Sequence, residues 1–237
     1  MNRSFALVLV LIAAGACAPA SGEPENQLAA NAAAPAPIGP GNAAAAGHYR
    51  LRGGPDTASE LDLLPTGRFR FFLAAGAVDL HAEGRWTSDG RTVVLNTEPR
   101  PRPATFTAGP VSRSGDAPIT VLVNGPNGRG IAGIDLRMGF ADGRVIESYT
   151  QDYGWRYNQE GPPGVPQWVE LSLAMYNLPP QRFQLDAVAG NMFTFTLVPN
   201  DLGVQDFRDT TLEITSEGLV INGPGGTGTY ARESAGQ

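Results

Sequence analysis

Leu61-Asp62-Leu63-Leu64-Pro65-Thr66-Gly67-Arg68-Phe69-Arg70-Phe71-Phe72-Leu73 decides the fold class, because its apolar residues alternate on either side of a Pro-Thr-Gly turn. Alternate residues of a strand point to opposite faces, so Leu61 and Leu63 share a face, and Phe69, Phe71 and Leu73 line the returning strand. The pattern continues downstream. Trp86 precedes Ser88-Asp89-Gly90-Arg91 and the strand Thr92 to Leu95, and Asp89-Gly90 is expected to supply the positive φ angles of a two-residue hairpin turn. Thr57-x-x-Glu60 has the form of a helix capping box, yet the alternation after it is that of a strand. Phe193, Phe195 and Leu197, then Leu212 and Ile214, then Leu219 and Ile221 after a Glu217-Gly218 turn repeat the pattern near the C-terminus. The chain is therefore read as all-β. Residues 48–117 and 190–237 are expected to form one small antiparallel barrel or clam-like sheet, closed by the Tyr230-Ala231-Arg232 strand.

Composition narrows the functional classes. The net charge is -6, and all 17 cationic side chains are arginine, an acidic balance that argues against nucleic acid as a partner. Cys17 is the single cysteine, so no intramolecular disulfide can form and stability must come from packing. Histidine is confined to His48 and His81, which leaves no usual zinc ligand set. Gly223-Pro224-Gly225-Gly226-Thr227-Gly228 spells G-x-G-x-x-G but lacks the βαβ context and the downstream acid of a dinucleotide site, so it reads as a turn.

Residues 1–16 have the form of an export signal: Arg3, then an apolar stretch from Phe5 to Ala14, too short for a stable membrane span, then Gly15 and Ala16 before Cys17. Ala14-Gly15-Ala16-Cys17 resembles a bacterial lipobox, which implies lipidation of Cys17 and, with Ala18 following, sorting to the outer membrane facing the periplasm or cell surface. The same small residues suit ordinary signal peptidase, which would leave a soluble periplasmic or secreted protein. Residues 17–47, rich in Ala, Pro, Asn and Gly, read as the lipid anchor and a disordered tether.

Between residues 118 and 189 several short motifs follow one another: Ile119-Thr120-Val121-Leu122-Val123, Pro126-Asn127-Gly128-Arg129-Gly130-Ile131-Ala132-Gly133-Ile134-Asp135-Leu136, Asp142-Gly143, Thr150-Gln151-Asp152-Tyr153-Gly154, and Asn177-Leu178-Pro179-Pro180-Gln181-Arg182-Phe183. In this order they resemble the carboxypeptidase regulatory-like, or transthyretin-like, domain. The resemblance implies an immunoglobulin- or transthyretin-like β-sandwich that adjoins the barrel or is inserted in it. The segment from Arg156 to Gln167 is longer than that pattern expects.

Candidate site residues fall in two groups. Tyr153, Trp155, Tyr157 and Trp168, with Tyr149, crowd one region; aromatic faces suit stacking on a sugar or anchoring a protein, and they equally suit a core. Asp201, Asp206 and Asp209 are the densest carboxylate group, either a calcium site or a solvated loop; no other cofactor is expected. The expected function is a non-enzymatic envelope lipoprotein that binds or scaffolds a glycan or an envelope protein. The alternatives are a carbohydrate-active or peptidase-type hydrolase using an unidentified carboxylate pair, which spacing alone does not pick out (Asp152 with Glu160 or Glu170 fits no better than any other pair), and a purely structural assembly component.

Overall fold

The computed structural model describes residues 40–115, 117–223 and 226–233. Cys17, the export signal and most of the expected tether lie outside the described residues. The chain forms two compact units, one made of Met1–Arg100 with Gln205–Gln237 and one of Pro101–Val204.

The first unit opens with a short helix, α1 (Pro40–Ala45), where a disordered tether was expected. Ala45 is buried in the core of this unit, and its carbonyl accepts a 2.6 Å hydrogen bond from the Tyr49 hydroxyl. Five antiparallel strands follow: β1 (Gly47–Leu51), β2 (Thr57–Leu63), β3 (Arg68–Ala75), β4 (Val78–Ser88) and β5 (Thr92–Thr97). Leu61 and Leu63 pack inward with Phe69, as alternation requires. Only Gly90 of the Asp89-Gly90 pair has positive φ, at 88°. Asp89 instead works through its carboxylate, which accepts hydrogen bonds from the backbone of Arg91 and Thr92 and from the Thr92 hydroxyl. The turn is thus an Asx-type connection rather than the expected two-residue one.

The second unit contains β6 (Thr105–Ser112), β7 (Thr120–Asn124), β8 (Asp135–Phe140), β9 (Val145–Tyr149), β10 (Trp155–Arg156), β11 (Pro166–Leu173), β12 (Leu178–Gln184) and β13 (Met192–Val198). They form two four-stranded sheets, in the orders β10-β7-β13-β6 and β12-β11-β8-β9. One sheet contributes Phe106, Val121, Val123, Phe193 and Phe195 to a common core, and the other Leu136, Met138, Val169 and Leu171. This is a β-sandwich, as expected, but its limits differ from residues 118–189. β6 and β13 pair with each other, and β13 runs parallel to β7, so Phe193, Phe195 and Leu197 belong to the sandwich and not to the barrel. A period of two identifies a strand without saying which sheet receives it. Thr150 is fully buried at the expected corner, donating to the Ile131 carbonyl at 2.7 Å and accepting from the Ile134 amide at 3.1 Å.

The chain then returns to the first unit as β14 (Thr210–Thr215), β15 (Gly218–Gly223) and β16 (Gly226–Arg232), closing an eight-stranded barrel in the order β1-β16-β15-β14-β5-β4-β3-β2. Its interior is filled rather than hollow. Phe207 lies edge-on to Phe69 and Phe71, with centroids 5.8 and 5.0 Å apart, and Trp86 donates its indole N–H to the Leu64 carbonyl. Ser59 donates to the Phe72 carbonyl and so accepts from the Tyr230 hydroxyl at 2.8 Å, satisfying two buried groups. Outward rows are charged, for example His48, Asp62, Arg70 and Glu83 in register across four strands. A lipid-spanning barrel presents an apolar band outward, so this barrel has the opposite polarity.

Candidate functional site

The residues that gather into a patterned surface lie on the outer face of the β12-β11-β8-β9 sheet. Alternation turns Leu136, Met138, Val169 and Leu171 into the sandwich and leaves Arg137, Trp168 and Glu170 facing out. Register aligns Arg182 with Glu170, Glu170 with Arg137, and Arg137 with Glu147, one residue from each strand. The side chains follow the alignment. Arg182 donates through Nε and Nη2 to Glu170 Oε1 at 2.9 and 2.7 Å, and Arg137 Nη1 donates to Glu170 Oε2 at 2.9 Å. Arg137 Nε then donates to Glu147 Oε1 at 2.9 Å, completing a charge ladder that crosses the sheet. Glu170, whose side chain is only 14% exposed, is its centre.

Trp168 sits beside the ladder in register with Gly139. The indole lies so close to that glycine that an added Cβ would come within 2.1 Å of the ring, and the Arg182 guanidinium covers the ring at 3.8 Å from its centroid. Glycine is required there for space. Tyr149 and Val145 on β9 are 54% and 46% exposed on the same alternation as Glu147. The β8–β9 turn is fastened by Asp142, whose carboxylate accepts from the Arg144 amide and Nε at 3.0 and 2.7 Å. These hydrogen bonds, the backbone one foremost, hold the Asp142 carboxyl below its ordinary pKa. Arg144 also donates to the Pro163 carbonyl at 2.9 Å, pinning the long Pro- and Gly-rich loop.

The expected aromatic platform is therefore divided. Trp155 and Tyr157 are buried, with rings 6.4 Å apart edge to face, and they close the sandwich core. Tyr153 is 62% exposed on the Gln151–Gly154 turn, near the Arg156 guanidinium. Trp168 is half-buried, held between Gly139 and Arg182. Of these five aromatic residues Tyr149 and Tyr153 are the two more than half exposed, because apolar packing claimed the two nearest the sheet interior.

The three aspartates each have protein partners, while one buried oxygen of Asp206, Oδ1, accepts no hydrogen bond. Asp201 accepts from the Arg102 amide at 2.7 Å, Asp206 pairs with Arg208 at 2.6 Å, and Asp209 is joined to Asn96. Among the described residues no three His, Cys, Asp or Glu side chains group so as to hold a metal ion. Glu170, one of the carboxylates considered for hydrolysis, has both oxygens engaged by arginines.

Arg137, Glu147 and Arg182 were not singled out from the sequence. Their signal was an outward position on three alternating strands, but the order of those strands was unknown until the sheet was seen. Comparison with protein-family models, curated proteins and solved structures found no match for this chain.

Proposed function

We propose that the chain is an exported, lipid-anchored envelope protein that acts as a non-enzymatic binding or scaffolding module, docking an envelope protein on the outer face of the β12-β11-β8-β9 sheet. The observation that carries this reading is the combination on one sheet face of Trp168, Arg182, Arg137 and an exposed Tyr149, the residue types that dominate protein interfaces. The ladder fixes the rotamers of its long side chains, so less entropy is lost when a partner covers them. The export signal and the lipobox-like Cys17 supply the location.

Glycan binding is the second reading, favoured by open rings at Tyr149 and Tyr153. It is the weaker of the two. The Trp168 indole packs against Gly139 and carries the Arg182 guanidinium 3.8 Å from its centroid, so a sugar ring would have to displace that guanidinium to stack there. The tests separate the parts. Titration with a panel of envelope and plant-type polysaccharides, followed by tryptophan fluorescence, gives a flat response under the protein reading. Saturable quenching that is lost in Trp168→Ala would replace that reading with the glycan one. Metabolic labelling with palmitate tests the anchor, which requires incorporation that disappears in Cys17→Ser.

A further inference from the structure

β9 is the last strand of its sheet, and the phase of its hydrogen bonds tells which backbone groups it leaves over. At one end of the β8–β9 pair the Phe140 amide donates to the Arg144 carbonyl at 3.0 Å, and at the other the Thr150 amide donates to the Ile134 carbonyl at 2.9 Å. Bonded and non-bonded pairs alternate along an antiparallel ladder, and both ends give the same phase. Ile146 and Ser148 therefore turn their amides and carbonyls toward β8. Val145, Glu147 and Tyr149 turn theirs outward, where no strand takes them up. The side chains of these three residues stand on the exposed face of the sheet, with Ile146 turned into the sandwich.

The other edges of the sandwich are guarded. β12 carries Pro179 and Pro180, and its Gln181 side chain accepts from the Phe106 amide of β6. β6 carries Pro110 and shifts register against β13, and β10 has only 2 residues. Prolines, bulges and shortness are the devices by which edge strands avoid pairing. β9 has no proline and keeps one register with β8 along its length.

Charge completes the pattern. Across the four strands the ladder runs Arg182, Glu170, Arg137, Glu147, so its signs alternate and end on an acid at the open edge. Among the described residues Arg137 alone engages the Glu147 side chain, through Oε1, and that side chain is 72% exposed. A fifth strand continuing the alternation would set a cation opposite Glu147. A second copy of β9, in the register that matches Val145 with Tyr149, would instead set Glu147 against its own counterpart, and like charges directly opposite are unfavourable.

We propose that β9 takes up an extended basic segment of a partner protein by antiparallel strand addition. The segment's backbone pairs with Val145, Glu147 and Tyr149, a lysine or arginine lies opposite Glu147, and apolar side chains two residues to either side of it lie opposite Val145 and Tyr149. In this mode main-chain hydrogen bonds supply affinity and alternate side chains supply selectivity. The inference rests on the docking reading above for a protein partner, and it adds the form that partner takes.

The experiment is fluorescence anisotropy of the full chain with the labelled peptide Thr-Val-Thr-Arg-Thr-Val-Thr, with the same peptide carrying glutamate at its centre, and with the first peptide N-methylated at its arginine. The expected result is saturable one-to-one binding of the arginine peptide and at least about threefold weaker binding of the glutamate peptide. N-methylation removes a donor aimed at β9 and is expected to weaken binding at least about tenfold. Glu147→Lys, a change at an exposed side chain, should reverse the preference between the two charged peptides. No saturable binding, equal affinity for the two peptides, indifference to N-methylation or an unreversed preference would overturn the proposal. So would a dimer of the chain alone, seen by sedimentation and lost in Val145→Pro, because the edge would then belong to a second copy. Crosslinking in cells from position 149 separates this inference from the docking reading. An adduct that forms equally in Glu147→Lys and Val145→Pro would overturn strand addition and leave docking on the sheet face, whereas no adduct beside intact peptide binding would overturn the docking reading and leave strand addition.

Discussion

Replacing Gly139 with alanine sets one methyl group against the indole of Trp168. The new Cβ would lie 2.1 Å from Cε2 and 2.2 Å from Nε1 of that ring, well inside ordinary carbon contacts of about 3.5–4.0 Å. A gap of that size is not closed by small shifts, so the ring must leave the sheet. A tryptophan buries about 150–250 Å², and losing half of this at about 25 cal/mol per Å² costs about 2.5 kcal/mol. The stacked Arg182 guanidinium, 3.8 Å above the ring, adds about 0.5–1 kcal/mol that is lost with it. Alanine offsets part of this, because it is favoured over glycine within a strand by about 0.5–1 kcal/mol. The expected net cost is about 2–3 kcal/mol. In a Trp168→Ala background the methyl meets no ring, so Gly139→Ala is expected to be neutral or stabilising, giving a coupling of about 3 kcal/mol. Hydrogen exchange of the β8 and β11 amides reads the sandwich separately from the barrel. An equal cost of Gly139→Ala in both backgrounds would refute the clamp.

Three further outcomes are expected. Phe207→Ala removes a ring set against Phe69 and Phe71 and is expected to cost the barrel about 3–5 kcal/mol, read by chemical denaturation; a loss under about 1 kcal/mol would show that the ring is not part of the packed core. Glu170→Gln withdraws the charge shared by Arg137 and Arg182 and is expected to cost the sandwich about 1–2 kcal/mol, whereas the exposed Glu147→Gln should cost less than about 0.5 kcal/mol; similar costs for the two would contradict a ladder centred on Glu170. The hydrogen bond from His48 to Asp62 raises the His48 pKa above its ordinary 6.5, aided by the charges of Asp62, Glu233 and Glu60 and opposed by burial. A raised folded-state value means that this contribution is complete below the unfolded pKa and is lost as pH rises through the folded one, so barrel stability should fall on going from mildly acidic to mildly alkaline pH, by less than about 1 kcal/mol. Melting curves of His48→Gln should lack that slope, and an unchanged slope would assign it elsewhere.

The strands themselves were legible in the sequence, because alternation at Leu61, Leu63, Phe69 and Phe71 and again at Phe193, Phe195 and Leu197 reports which residues face a core. Their partnership was not. Phe193 and Leu212 carry the same local signal, yet one enters the sandwich and the other the barrel, since long-range pairing is decided by which faces complete a common core. α1 was missed for a related reason: Pro40–Ala45 lacks an amphipathic period, and its carbonyls are held by Tyr49 on the strand that follows it and by Arg232 on the distant β16. Crowding of aromatics in sequence does not separate Trp155 and Tyr157, which fill the core, from Tyr153 on its turn. The charge ladder needed the register of β12, β11, β8 and β9, which no single strand discloses.

The measurement that bears most directly on the proposed docking role is photo-crosslinking in living cells, with a photoreactive residue at position 149 on the sandwich face and a control at position 79 on the barrel exterior. The account predicts a discrete adduct with one envelope polypeptide from position 149, diminished in Trp168→Ala and Arg182→Ala and absent from position 79. No adduct from position 149, or the same adducts from both positions, would contradict it.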